Sequence, residues 1–373
     1  MKGGMNVKKR YVIPIIIAVV MIILNIVSWM STGFSDFYVM YIFPYISSAF
    51  SFISGIFPFS IGEIMIIALI ILAFVGIPLF VILIIVRADS RKRTAGIFTS
   101  AVLFITVFII STETLNCFIM YHCTTFSERY FNTSDHRRSD LIKLYKILID
   151  ETNDLADQIA RDENGSFILT DDVNECAKDA MKKASENYPQ LKGYYPDAKA
   201  VMNSYLMSQA GLMGIYFPFS LEANYNADMC PVNLPNTICH EYAHLKGVIQ
   251  EDEAGFIAFI ASSMSASADF RYSGYLNALE YVHNQIYQNN ITEAYYLTDT
   301  ISENVKHDWF SFLPESYWEE NKEKEIISTE TIDTISSSAA DTSLKMNGVE
   351  DGIESYSRIV DLMLDYYKSI QKL

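Results

Sequence analysis

Residues 240–244 read His240-Glu241-Tyr242-Ala243-His244. On a helix, histidines four residues apart lie on one face, about 6 Å from each other, close enough for both imidazoles to ligate one tetrahedral Zn2+. Glu241 is then placed to take a proton from water activated at the ion. A hydrolytic zinc site needs a third protein ligand and one open position. The acidic run Glu251-Asp252-Glu253 follows in the chain. Glu251 is the expected third ligand, and Glu253 is its rival.

Such a site requires two helices with a turn between them. Leu234-Pro235-Asn236-Thr237 supplies helix-start residues immediately before the motif, and Gly247 supplies a stop after it. From Glu251 to Phe259 a second helix is expected, with Glu251, Ala254 and Ala258 on one stripe and small residues that permit close approach. Cys239 adjoins the first ligand but lies off the ligand face, as a small buried residue would. Gly214 to Ser220 favours a strand, which Pro218 restricts to a sheet edge, where an extended peptide can add as a further strand.

Helical spacing recurs at Ser139–Ile159, Val173–Tyr188, Tyr272–Gln288, Ile291–Lys306 and Ile353–Leu373. Ile326–Asp341, rich in Ser, Thr and acids, reads as an exposed linker or mobile loop. The expected class is therefore mainly α with a small β-sheet. Donors for a developing oxyanion are sought among Arg271, Tyr272, Tyr275, His283 and Tyr356, with none singled out.

These residues resemble the gluzincin metallopeptidases, in which HExxH on one helix is completed by a Glu on the next. That Glu often opens an E-x-x-A-[DN] pattern. Glu251-x-x-Ala254 matches it, but Gly255 stands where Asp or Asn would orient a histidine ligand. More closely, the region from Gly214 to Leu276 looks like a family of bacterial membrane-anchored zincins known only as a domain of unknown function. Tyr216-Phe217-Pro218-Phe219, Glu222-Ala223-Asn224, Pro235-Asn236-Thr237, Glu251 to Ala254 and Phe270 to Leu276 carry that likeness, with the run Gly352–Ser357 and the apolar N-terminus. The resemblance implies a zincin-like α+β catalytic domain and a zinc ion, with no known substrate.

Half the residues are hydrophobic, and the mean hydropathy of +0.16 is high for a soluble chain. Three transmembrane helices are expected within residues 1–121, at about 11–29, 61–86 and 97–121. Phe37–Phe59, broken by Pro44 and Pro58, reads as a re-entrant or interfacial segment. Lys2, Lys8, Lys9 and Arg10 precede the first span, Arg87, Arg91, Lys92 and Arg93 separate the second from the third, and residues 31–60 hold no Lys or Arg. By the positive-inside rule the N-terminus is cytoplasmic and residues 122–373 form an extracytoplasmic catalytic domain.

Residues 1–121 hold eight basic and four acidic groups of the 28 and 44 in the chain, which leaves a net charge of −20 beyond them. Such acidity argues against nucleic acid as a partner. Lys246, Gln250 and the acids after it exclude burial of the motif in lipid. Five cysteines without CxxC spacing assert no disulfide framework, although Cys176 and Cys230 could pair outside the cell. The sequence thus points to a membrane-anchored zinc metallopeptidase acting on a peptide or protein outside the cytoplasm. The alternative is a non-catalytic membrane receptor or scaffold whose zincin-like domain only binds peptides. The sequence does not define an oligomeric state.

Overall fold

The computed structural model describes residues 6–86, 88–132, 135–349 and 358–373. Arg87, Tyr356 and the run Gly352–Ser357 therefore lie outside the described residues. The chain is mainly helical and divides into two compact units. Residues up to Cys123 with Phe217–Glu222 form the N-terminal unit, and Thr124–Tyr216 with Ala223–Leu373 form the C-terminal unit.

The N-terminal unit contains α1 (Asn6–Met30), α2 (Thr32–Phe37), α3 (Phe43–Gly55), α4 (Ile61–Ile71), α5 (Ile77–Val86) and α6 (Arg91–Asn116). A π turn, Tyr38–Ile42, joins α2 to α3, and another, Leu72–Gly76, joins α4 to α5. Among the described residues, four stretches are long and apolar enough to cross a membrane: Tyr11–Met30, Thr32–Gly55, Ile61–Val86 and Arg91–His122. Thr32–Gly55 exceeds the sequence expectation. Pro44 does not break it, because a proline in the first turn of α3 removes an N–H that has no intrahelical partner there.

Helices α1 and α6 run parallel, since the Tyr11 hydroxyl donates to Gly96 O (3.2 Å) and Asn25 Nδ2 donates to Thr114 Oγ1 (2.7 Å). Helix α5 returns along the start of α6, with Phe80 stacked on Phe98 at 3.9 Å between centroids. Further along, α4 and α6 enclose an apolar crevice of about 480 Å3, between residues such as Leu69 and Phe108.

Segment α2–α3 is tied near the C-terminal end of α6. The Tyr38 hydroxyl donates to Leu115 O (2.9 Å). Asn116 Nδ2 donates to Pro218 O (2.6 Å), and Ser51 Oγ donates to Leu221 O (2.8 Å). Glu222 caps α4: its carboxylate accepts from the amides of Ile61 (3.1 Å) and Gly62 (2.8 Å) and from Ser220 Oγ (2.6 Å). Gly62 is required at that position, because a Cβ would overlap the Phe217 ring.

The C-terminal unit holds α7 (Phe126–Tyr130), α8 (Arg138–Ala156), α9 (Val173–Ser185), α10 (Ser204–Gln209), α11 (Leu234–His244), α12 (Glu251–Ser263), α13 (Ala268–Gln288), α14 (Glu303–Asp308), α15 (Tyr317–Glu320), α16 (Thr329–Met346) and α17 (Ile359–Ser369). Its core forms where α11, α12 and α13 pack on one another and α8 and α17 close over them. Phe256, Phe259, Leu279, Val282 and Met363 are buried there. Each such side chain contributes about 1.5–3 kcal/mol of transfer free energy.

Strands β1 (Ala160–Arg161) and β2 (Phe167–Ile168) form a short antiparallel hairpin. A three-stranded sheet has the order β3-β5-β4, where β3 is Lys199–Ala200, β4 Gly214–Phe217 and β5 Glu222–Tyr225. β3 pairs parallel to β5, with Lys199 opposite Asn224. β4 therefore occupies an edge and ends before Pro218, which has no N–H for a ladder.

Two segments differ from the sequence expectation. Ile326–Asp341 is mostly helix α16, which starts on Ser328 accepting from Thr331 N. Its Thr334 and Thr342 hydroxyls donate back to the carbonyls of Glu330 and Ser338, so hydroxyl-rich sequence is accommodated within a helix. Ile291–Lys306 is a 3-10 turn, Thr292–Thr300, followed by α14, and Ser302 starts the new helix by accepting from Val305 N. None of the five cysteines is in a disulfide, Cys176 and Cys230 included.

Candidate metal centre

Helix α11 carries both histidines, and its end fixes how they face. Pro235 stands in the first turn, where a missing N–H costs nothing. After His244 the chain reverses through Gly247 at φ 80°, a left-handed conformation that glycine adopts without a Cβ penalty. Val248 N donates to Ala243 O (3.2 Å), closing the turn. Val248 O in turn accepts from His244 Nδ1 (2.7 Å). A carbonyl can only accept, so Nδ1 carries the proton and Nε2 keeps its lone pair.

The turn delivers α12 so that Glu251 meets both imidazoles. His240 Nε2 lies 3.0 Å from Glu251 Oε2, and His244 Nε2 lies 3.7 Å from the same oxygen. The two rings stand 4.8 Å apart at 86°. One donor atom from each of His240, His244 and Glu251 falls within 4.8 Å of the other two. Two imidazole nitrogens and a carboxylate oxygen at this spacing fit a tetrahedral Zn2+ with its fourth position left to water or substrate.

Three consecutive acids open α12 and go three ways. Glu251 faces the histidines. Asp252 accepts from Arg358 Nε (2.9 Å). Glu253 accepts from Ser127 N (2.9 Å) and Ser127 Oγ (2.5 Å), which ties α12 to the start of α7. Successive helical residues are about 100° apart, so Glu251 and Glu253 cannot share a face. The structure therefore brings Glu251, and not its rival, to the histidines. Gly255 lies beside His240, where a Cβ would come 3.9 Å from Nδ1 and 2.9 Å from Ile359 Cδ1.

Charge in this cluster is out of balance. Burial pulls His244 down to about 4, so it is neutral at pH 7. Burial also acts against the charged form of His240, but the hydrogen bond and charge of Glu251 outweigh it and raise the imidazole above its ordinary value. Burial pushes Glu241 up to about 8, with His240 opposing and Glu251 adding to the rise. Glu241 Oε2 is buried and has no hydrogen-bond partner among the described residues. A buried carboxyl without a partner beside a second carboxylate is an arrangement that a bound cation would favour.

The roof over Glu241 is the edge strand. A Cβ on Gly214 would overlap Glu241 Oε1 and come 2.8 Å from Thr237 Cγ2. Two residues on, the Tyr216 ring lies 5.7 Å from that of His244.

Most sequence-based oxyanion donors are used elsewhere. Tyr272 donates to Asp308 Oδ2 (2.6 Å), Arg271 donates to the carbonyls of Ser265 and Ala266, Tyr275 packs on Phe259, and His283 is hydrogen-bonded to Tyr145 at 2.8 Å. Tyr356 lies outside the described residues. A tyrosine outside that set, Tyr281 on α13, has a hydroxyl that feels the charge of Glu251. Asn236 Nδ2 donates to Asn277 Oδ1 (3.1 Å) and Asn236 N to Ser273 Oγ (3.2 Å), which sets the register of α11 against α13. One turn beyond Asn236 is His240, and one turn beyond Asn277 is Tyr281. Burial pushes its hydroxyl up to about 12, helped by the charges of Glu280 and Glu251. Only the helix register, not the local sequence, could have selected it from 24 tyrosines.

A family model described as "Protein of unknown function (DUF3810)" matches residues 38–364. No curated protein and no solved structure matches the chain. The family description carries neither activity nor metal, so the likeness to gluzincins rests on the motif residues alone.

Proposed function

The chain belongs to the DUF3810 family of proteins of unknown function, and we propose that it is a membrane-anchored, zinc-dependent metallopeptidase with a zincin-like catalytic domain. One observation carries the proposal: the donor atoms of His240, His244 and Glu251 converge within 4.8 Å, next to a buried Glu241 whose Oε2 has no partner.

In this account His240, His244 and Glu251 hold the ion. A divalent ion supplies Lewis acidity toward a carbonyl and toward water. A bound cation would favour the charged form of Glu241, which burial otherwise raises to about 8, and so would suit it to act as a general base. Glu241 then accepts a proton on its carboxylate and returns it to the leaving amine. Tyr281 supplies a hydroxyl on the side of the cluster formed by α13, and β4, at the edge of its sheet, receives an extended peptide.

The arrangement of the N-terminal unit supports three spans. Parallel α1 and α6 bring residues 8–10 and 91–93 to one end of the bundle, and α4–α5 returns between those ends. Segment α2–α3, tied through Tyr38 and Ser51, lies across the other end in this account. The basic end is then cytoplasmic and the chain from Thr124 onward is extracytoplasmic. A fourth span would carry the basic residues 91–93 to the outer side, against that rule.

Glu241→Gln tests the enzymatic reading. The full-length variant in detergent micelles should keep its zinc and lose at least about 10³-fold in hydrolysis of a quenched peptide library, as expected when a general base is removed. Unchanged turnover contradicts the mechanism. Peptide binding without turnover in both proteins would favour the receptor alternative.

A further inference from the structure

The edge strand over Glu241 belongs to a hairpin whose tip, Phe217–Glu222, is held by the N-terminal unit. Ties from three helices, α3, α4 and α6, converge on these six residues. Asn116 at the end of α6 holds Pro218 O, Ser51 on α3 holds Leu221 O, the amides that open α4 bind the Glu222 carboxylate, and Gly62 makes room for the Phe217 ring. Glu222 is 1% exposed and Ser51 fully buried, so these are interior bonds. Leu221 adopts φ 52° to make the turn, a left-handed conformation that an ordinary side chain holds only when its surroundings over-determine it.

Three residues upstream of the tip, the strand has no slack. The backbone at Gly214 approaches Glu241 so closely that a methyl group does not fit. Tyr216 lies against His244 within the same strand. A strand of four residues spans about 13 Å and is nearly inextensible. Its position over the carboxylate is therefore set at both ends.

We propose that Glu222 is a positioning residue: by fixing the hairpin tip through its bonds to Ser220 Oγ and to the amides that open α4, it keeps β4 in its course past Glu241. This proposal rests on the reading of Glu241 as the general base, and its test keeps the two apart.

The experiment is hydrogen–deuterium exchange of the full chain in nanodiscs, wild type against Glu222→Ala, Glu222→Gln and the milder Asn116→Ala. Loss of a helix-capping carboxylate should raise exchange at residues 214–217 by roughly tenfold in the Ala variant, with protection in α8 and α9 unchanged. Gln, which keeps an oxygen for the Gly62 amide, should restore most of the protection. Where hydrolysis is measurable, kcat should fall by roughly tenfold in Glu222→Ala at unchanged zinc content. Wild-type exchange at 214–217 in both Glu222→Ala and Asn116→Ala overturns the proposal. An exchange response in a protein that never hydrolyses peptide supports the anchoring and counts against the reading of the site.

Discussion

Two buried charge clusters in the C-terminal unit stand in contrast. In the first, Arg161 grips Asp308 through both Nη atoms (2.7 and 3.2 Å), Tyr272 donates to the same carboxylate, and Gly165 O accepts from Nη1 (2.7 Å). Asp308 is only 4% exposed, yet both its oxygens are bonded and its charge is matched. In the second, Glu241 is equally buried, its Oε2 has no partner among the described residues, and burial raises its carboxyl to about 8. Sequence alone cannot tell a structural carboxylate from a working one. Their partners differ: both Asp308 oxygens are hydrogen-bonded, whereas Glu241 Oε2 has no partner among the described residues.

The contrast predicts opposite responses to mutation. Asp308→Ala leaves Arg161 buried without its counter-charge and should cost about 3–5 kcal/mol in chemical unfolding of the C-terminal unit. Glu241→Gln should cost less than about 1 kcal/mol while abolishing hydrolysis, because it removes a charge that the fold does not satisfy. Equal destabilisation by the two would erase the distinction.

A smaller effect is expected at the strand that roofs the second cluster. Gly214→Ala places a methyl group against Glu241 Oε1 and Thr237, and overpacking of this kind costs about 1–3 kcal/mol. The loss should appear as a lower Tm and a slower turnover together. A variant with wild-type stability and activity would show that β4 can move away freely.

A pH titration sharpens the comparison further. Burial raises Glu241 to about 8 and Glu253 to about 7, both above the ordinary carboxyl value of 4.5. A raised acid favours folding while it holds its proton. The metal-free protein should therefore be most stable below about pH 4.5 as far as these two groups are concerned, and lose that contribution as pH rises through 7 to 8. Zinc should abolish the Glu241 part of the slope, and Glu253→Gln should abolish the other part. A flat metal-free profile from pH 5 to 8 would contradict the burial of both carboxylates. The mildest prediction concerns Tyr281→Phe, which should retain zinc and slow kcat by roughly tenfold with little change in KM.

Legibility followed sequence distance. The motif and Glu251 were readable because i,i+4 spacing, a stop at Gly247 and a second helix are local signals. The rivalry of Glu253 was resolvable by rotation alone, yet its partner Ser127 was not, because it lies 126 residues away. The apolar helices of the N-terminal unit were evident from composition. The helical continuation through Pro44 was missed because a π turn places that proline in a first turn. Tyr281 and the ties of the hairpin tip depend on helix register and on contacts between distant segments, for which no local pattern exists. α16 was misread because hydroxyl-rich composition resembles a linker until its caps and back-bonds are seen.

Zinc stoichiometry tests the central claim most directly. Full-length protein purified in detergent, with its His244→Ala, Glu251→Ala and Glu253→Ala variants, should be assayed for metal by mass spectrometry. One zinc per chain in the wild type and in Glu253→Ala, lost in His244→Ala and Glu251→Ala, is the predicted result. No zinc in the wild type, or a full zinc complement in Glu251→Ala, would contradict the account.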